Sequence, residues 1–241
     1  IPEKDSTHFI NFITQLRKDN FGYFVLFGSL MTFGIALIGP FFSVYLLEEI
    51  GLKNDYLTYT LIIAATTLST LISMPYWGKI IDKYGPIKTI KVTGLLASLY
   101  PLLLIFVREP NGLIMIEVLS GIIFSGLNLC LASFIYESFK QEKIIKYAGY
   151  QAALFGIATF FGVTLSGWIQ TFNPTIGILD NSFYVICVIS IIVRLIVYAT
   201  LVNKIKEVRE TKQIKDRTLI IGVLTLEPIR TTFFSSAFSI I

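Results

Sequence analysis

Histidine is almost missing from this chain: His8 is the single one among 241 residues. Ser–His and zinc–His chemistry inside a membrane therefore lacks its parts, and a histidine ahead of the first apolar run reads as a solvated side chain. Cysteine is nearly as scarce. Cys130 and Cys187 both fall inside apolar runs, where they read as small core residues rather than a disulfide. Charge is thin as well, 15% of residues where a soluble domain carries about 25%. With 54% hydrophobic residues, too little polar surface remains for a water-soluble globule. No span carries an arginine at every third position and no selectivity-filter sequence occurs, so a channel lacks its parts too. No metal ligand set, cofactor motif or nucleic-acid surface is expected.

What is present is long apolar runs divided by short charged blocks. The runs cover residues 20–47, 56–77, 92–107, 111–136, 147–172 and 181–203. A span needs about 20 apolar residues to cross a hydrocarbon core of about 30 Å; the third run reaches this only if Lys88 and Lys91 snorkel at its start. Helix is forced, because unpaired strands leave backbone groups unsatisfied in lipid. The expected fold is thus an all-α membrane protein of six transmembrane helices.

The basic residues orient it. Lys4, Arg17 and Lys18 precede the first run; Lys79, Lys83, Lys88 and Lys91 lie between the second and third. Lys140, Lys143 and Lys146 lie between the fourth and fifth, and Lys204, Lys206, Arg209, Lys212, Lys215 and Arg217 follow the sixth. Lys53 and Arg108 are the basic residues of the connections on the opposite side. The positive-inside rule then places both termini in the cytoplasm, and this one-sided clustering accounts for the net charge of +4 without nucleic acid.

Three regions follow: an interfacial arm over 1–19, six spans over 20–203, and a basic segment with an apolar tail over 204–241. Within the arm, Phe9, Ile10, Phe12, Ile13 and Leu16 share one face of an interfacial helix. The tail is broken by Glu227, Pro228 and Arg230, and reads as interfacial or as a seventh span. Asn173-Pro174-Thr175 reads as a turn or helical loop start.

The connection after the second run is Gly78-Lys-Ile-Ile-Asp82-Lys83-Tyr84-Gly85-Pro-Ile-Lys88. It resembles the signature G-x-x-x-D-[RK]-x-G-[RK]-[RK] of the major facilitator superfamily, which lies between the second and third span of each six-helix half. Gly78 would let a helix end approach a neighbour, and Gly85 would supply a turn with positive φ. The resemblance implies that Asp82, with Lys83, forms a cytoplasmic latch by meeting the N-terminus of a helix in the other half. Pro86 and Ile87 stand where basic residues are usual, which fits a second-half copy. Tyr136-Glu137 with Lys146, the glycines 149, 156, 162 and 167, and Gly39-Pro40-Phe-Phe-x-x-Tyr45 also resemble the family. The resemblance implies a secondary transporter without enzymatic activity, built of two halves, each a pair of inverted three-helix repeats. Six spans and an initial Ile1 then read as a C-terminal half, whose partner lies on the same or a separate chain. The setting would be a prokaryotic cell membrane, with a small-molecule substrate and a proton as coupling ion.

Individual residues carry two readings each. Glu117, Gly121, Phe124 and Asn128 recur on one helical face; family resemblance makes this stripe, with Tyr45, a candidate cavity and coupling surface, and the plain reading of Glu117 is an interfacial carboxylate. Arg194, mid-span, must face protein or water, and a structural bond to backbone carbonyls is the favoured reading. Glu137 is a candidate partner of Lys83 or Lys143. Ala158, Gly162 and Ser166 form a small-residue stripe for helix packing, and Pro40 kinks the first span. The rival to transport is a non-transporting subunit or scaffold that pairs with another membrane protein.

Overall fold

A computed structural model describes residues 12–13, 16, 19–172 and 181–207. The helices are α1 (Asn20–Ala36), α2 (Gly39–Glu48), α3 (Tyr56–Tyr84), α4 (Pro86–Phe106), α5 (Pro110–Ser138), α6 (Gln141–Thr171) and α7 (Ser182–Leu201), with 3-10 turns at Leu52–Asn54 and Val202–Lys204. Since α1 and α2 together make one span, six helices among the described residues are long and apolar enough to cross a membrane. Among the described residues there is no strand. The tail beyond 207, Asn173-Pro174-Thr175 and most of the arm lie outside the described residues.

Local chemistry sets the helix ends. Asp55 caps α3, accepting from the Thr58 N–H at 3.1 Å and the Thr58 hydroxyl at 2.6 Å. The Thr58 hydroxyl, then its N–H, holds the Asp55 carboxyl below the usual range. Asn181 caps α7 through the Phe183 N–H at 2.8 Å. Between α3 and α4 stands Gly85 alone, at φ 88°, and Pro86 opens α4 with a ring already set for helix and no N–H to satisfy.

These ends differ from the sequence reading. The second span continues through Lys79, Asp82 and Lys83 to Tyr84, the third starts at Pro86 rather than Val92, and the fifth at Gln141 rather than Tyr147. Apolar length marks only the lipid-facing part of a helix. Charged residues at its ends keep the backbone ladder and reach for water.

The chain divides into two compact units, one of Ile1–Glu49 with Ser138–Lys206, the other of Ile50–Glu137 with Glu207–Ile241. In the first, α1 is the buried centre: Phe24, Val25, Phe27, Met31 and Leu37 are fully enclosed. α6 approaches closely at Gly162, where a Cβ would lie 2.6 Å from the Phe33 carbonyl oxygen, and Ser166 is buried one turn on. The small-residue stripe does what spacing required. Phe12 of the arm stacks on Tyr150 at 5.1 Å, beside a second stack of Phe139 on Tyr147 at 3.9 Å. The opposite side of α6 turns Ile157, Phe160, Phe161 and Trp168 outward, the surface lipid demands of a spanning helix.

In the second unit α5 is the centre, with Leu113, Leu127, Cys130 and Phe134 fully buried. α3 exposes Leu57, Leu61, Leu68, Leu71 and Ile72 and turns a polar stripe inward. Thr66, Thr70, Ser73 and Trp77 meet Glu117, Gly121, Ser125 and Ile122 in that order. Over the first three pairs residue numbers rise together, from 66 to 73 on α3 and from 117 to 125 on α5, so the two helices run parallel. Gly85 and Glu137 consequently lie at the same end of this unit, as an even number of crossings between them requires.

Candidate functional site

Two polar centres lie within the spans and a third at the end of the second unit. The first is Glu117, 4% exposed. One carboxylate oxygen accepts from the Thr66 hydroxyl of α3 and the other from the Tyr100 hydroxyl of α4. Gly121, one turn on, has no room for a side chain: a Cβ would lie 2.4 Å from the Thr66 carbonyl oxygen. Gly126 likewise admits the Trp77 ring at 2.6 Å, and the Trp77 indole N–H donates to the Ile122 carbonyl at 2.7 Å.

The expected stripe does not form one open face. Glu117 and Gly121 are buried against α3, Phe124 sets its ring edge-on to Tyr100 at 5.6 Å, and Asn128 is exposed. Nor does Glu117 lie open as an interfacial carboxylate would, since it is buried between hydroxyls of two other helices. One helix's periodicity shows which residues align but not which neighbour they meet. The partners had their own signal, since Thr66, Thr70, Ser73 and Trp77 recur at helical spacing in α3.

Arg194 belongs to the second centre. It is 1% exposed, and its Nη2 donates to the Gly34 carbonyl at 3.0 Å. The Ser190 hydroxyl donates to the same oxygen at 2.6 Å. The first span breaks just past this point. The Ile38 N–H turns to the Ile35 carbonyl at 3.2 Å instead of reaching Gly34 four residues back. That break releases the Gly34 oxygen, and α7 supplies the replacement donors. Gly34 must also lack a side chain, because a Cβ would meet Arg194 Cγ at 2.7 Å. The kink expected from Pro40 and the carbonyl bond expected for Arg194 are thus one device. Tyr45, a cavity candidate from sequence, is instead 2% exposed. Its ring stacks on Phe183 at 4.3 Å, and its hydroxyl meets that of Tyr184 at 2.9 Å.

The third centre is the signature turn. Asp82 and Lys83 are exposed on the last turn of α3, and Lys88 is half-buried. The Lys83 ammonium lies 5.0 Å above the Tyr84 ring. Gly85 adopts the positive φ expected of it, and the close approach expected at Gly78 is absent within the unit: Leu129 Cδ2, at 4.0 Å, is what a Cβ there would touch. Glu207, missed in the sequence reading, reaches the turn and accepts from the Ile87 N–H at 3.2 Å. Half-buried Glu137 is near enough for its charge to act on Glu207. Among the described residues no group of acids, cysteines and histidines could hold a metal ion.

The sequence has relatives. A tetracycline resistance protein, class B, from Escherichia coli is 27% identical over 187 residues, covering 77% of this chain and 43% of that protein. The chain therefore spans less than half the length of the curated relative it matches. The family model of the Major Facilitator Superfamily matches residues 23–241. With six spans among the described residues, the one-residue turn after the second and a match across nearly its whole length, the chain belongs to the Major Facilitator Superfamily.

Proposed function

We propose that this chain forms half of a secondary transporter that moves a small solute by alternating access, with a proton as coupling ion and Glu117 as its carrier. The observation behind the reading is the Glu117 carboxylate, enclosed in the second unit and held by hydroxyls from two other helices. A carboxylate in such a place exchanges a proton only when its partners move, and that is the property coupling needs. Asp82 keeps the latch role that the signature gives it, from an exposed position one turn before Gly85.

Transport in vesicles carrying the complete protein tests this, with tetracycline, named for the relative, as the first solute. Glu117→Gln should abolish proton-driven accumulation while leaving solute exchange, and an unchanged pH profile would remove Glu117 from the mechanism. Asp82→Asn should slow cycling without loss of insertion. The subunit alternative predicts co-purification with another membrane protein and no solute flux under any gradient.

A further inference from the structure

Glu207 follows the sixth span, yet its carboxyl lies 120 positions back along the chain, against the start of α4. One oxygen, Oε2, takes the Ile87 N–H at 3.2 Å, one of the amides a helix start leaves unserved. Gly85 makes this seat available twice over. Its φ of 88° disfavours any side chain, and a Cβ there would lie 2.6 Å from Oε2 and 2.7 Å from the carboxyl carbon. The other oxygen, Oε1, is buried with no hydrogen-bond partner among the described residues.

The charges around this seat come from three elements. Burial and then Glu137 at the end of α5 oppose ionisation of Glu207, while the Ile87 and Lys88 backbone N–H groups, and after them the Lys88 charge, favour it. The Cys130 thiol of α5 is near enough for the charges of both carboxyls to act on it. From α3, Asp82 and Lys83 are exposed. Arg209 and Glu210, next in sequence, lie outside the described residues. An acid with one unserved buried oxygen, under the charge of a second acid, is stabilised by taking up a proton, which removes a buried charge from the seat.

We propose that Glu207 and Glu137 form a proton-binding carboxyl pair that clasps the Gly85 turn while it holds a proton and loosens once both acids are ionised. The site is separate from Glu117, and it stands whether or not Glu117 couples transport.

The direction of the response follows from linkage. Burial first, then Glu137, pushes the seated Glu207 up to about 7. Released into water it titrates as an ordinary glutamic acid, near 4.3. The seated form therefore holds a proton that the released form has lost. The clasp is firmest below about pH 4.3, weakens about tenfold per pH unit above that, and reaches its floor past about pH 7.

Hydrogen exchange of the intact chain in lipid nanodiscs reads this directly. The measure is the protection factor of a peptide covering residues 85–92, corrected for intrinsic base catalysis. In the wild type it should fall severalfold or more between pH 5.5 and 7.5 and then level off. Glu207→Gln keeps an acceptor for Ile87 but cannot ionise, so its protection should stay high and flat. Glu207→Ala should be low and flat, and Glu137→Gln should complete its fall at lower pH. Unchanged protection of peptides from the middle of α3 and α5, in the same unit, shows that each variant folds. A Gln variant with the wild-type slope, a Gln variant as unprotected as the Ala variant, or a flat wild type would each overturn the proposal.

Discussion

Replacing Gly121 by Ala tests the packing of the second unit with one methyl group. The new Cβ would lie 2.4 Å from the Thr66 carbonyl oxygen and 3.0 Å from the Thr70 nitrogen. Both are backbone atoms, so no rotamer change relieves the clash, and α3 must retreat by about 1 Å to restore ordinary contact. Forced overpacking costs about 1–3 kcal/mol. The retreat also stretches the Thr66–Glu117 and Thr70–Gly121 bonds, at about 0.6 kcal/mol each for hydrogen bonds between membrane helices. Against these stands about 1 kcal/mol of helix propensity gained over glycine. The net loss should be about 2 kcal/mol. Gly156 is the internal control. A Cβ there meets nothing within 4 Å, so Gly156→Ala should be neutral or stabilising by up to about 1 kcal/mol. Unfolding in mixed micelles with increasing dodecyl sulfate, followed by far-UV circular dichroism, compares the two. If Gly121→Ala unfolds no earlier than Gly156→Ala, the described approach of α3 to α5 is wrong.

Other consequences are as concrete. Ser190 and Arg194 share one acceptor, so Ser190→Ala or Arg194→Met alone should cost about 1 kcal/mol or less, because the remaining donor still serves Gly34. Together they should cost about 1–3 kcal/mol more than the sum, and an additive double-mutant cycle would contradict the shared carbonyl. Thr66→Val and Tyr100→Phe remove donors from different oxygens of Glu117, so each alone should cost about 1–3 kcal/mol in the same unfolding assay. Gly85→Ala should cost about 1–3 kcal/mol for positive φ and more for the lost seat of Glu207. The second part should vanish in a Glu207→Ala background.

Parts of this architecture were open to reading from residues alone. Six spans followed from apolar length, since lipid imposes one helix length on every crossing. Gly85 declared its turn because a glycine between two helical runs is where positive φ is cheap. Arg194 declared a carbonyl partner because no acid stands near it in the sequence and lipid cannot solvate it. What stayed hidden depends on pairing between distant segments. Glu117 meets Thr66 and Tyr100, 51 and 17 positions away, and periodicity within α5 says nothing of the rotation of α3 or α4. Glu207 sat in a basic segment that looked like charge for the membrane face alone. Its seat at Ile87 exists only because Gly85 leaves a hole, and a hole is not written in any single stretch of chain.

A hinge needs slack, and the join between α3 and α4 has none. Tyr84 ends one helix and Pro86 begins the next, so the pair forms a stiff fork whose tines share one peptide link. Any rearrangement that carries α3 must carry the start of α4 with it. Bending inside this chain is then left to places where the helical ladder is already interrupted, and Leu37–Ile38 in the first span is such a place.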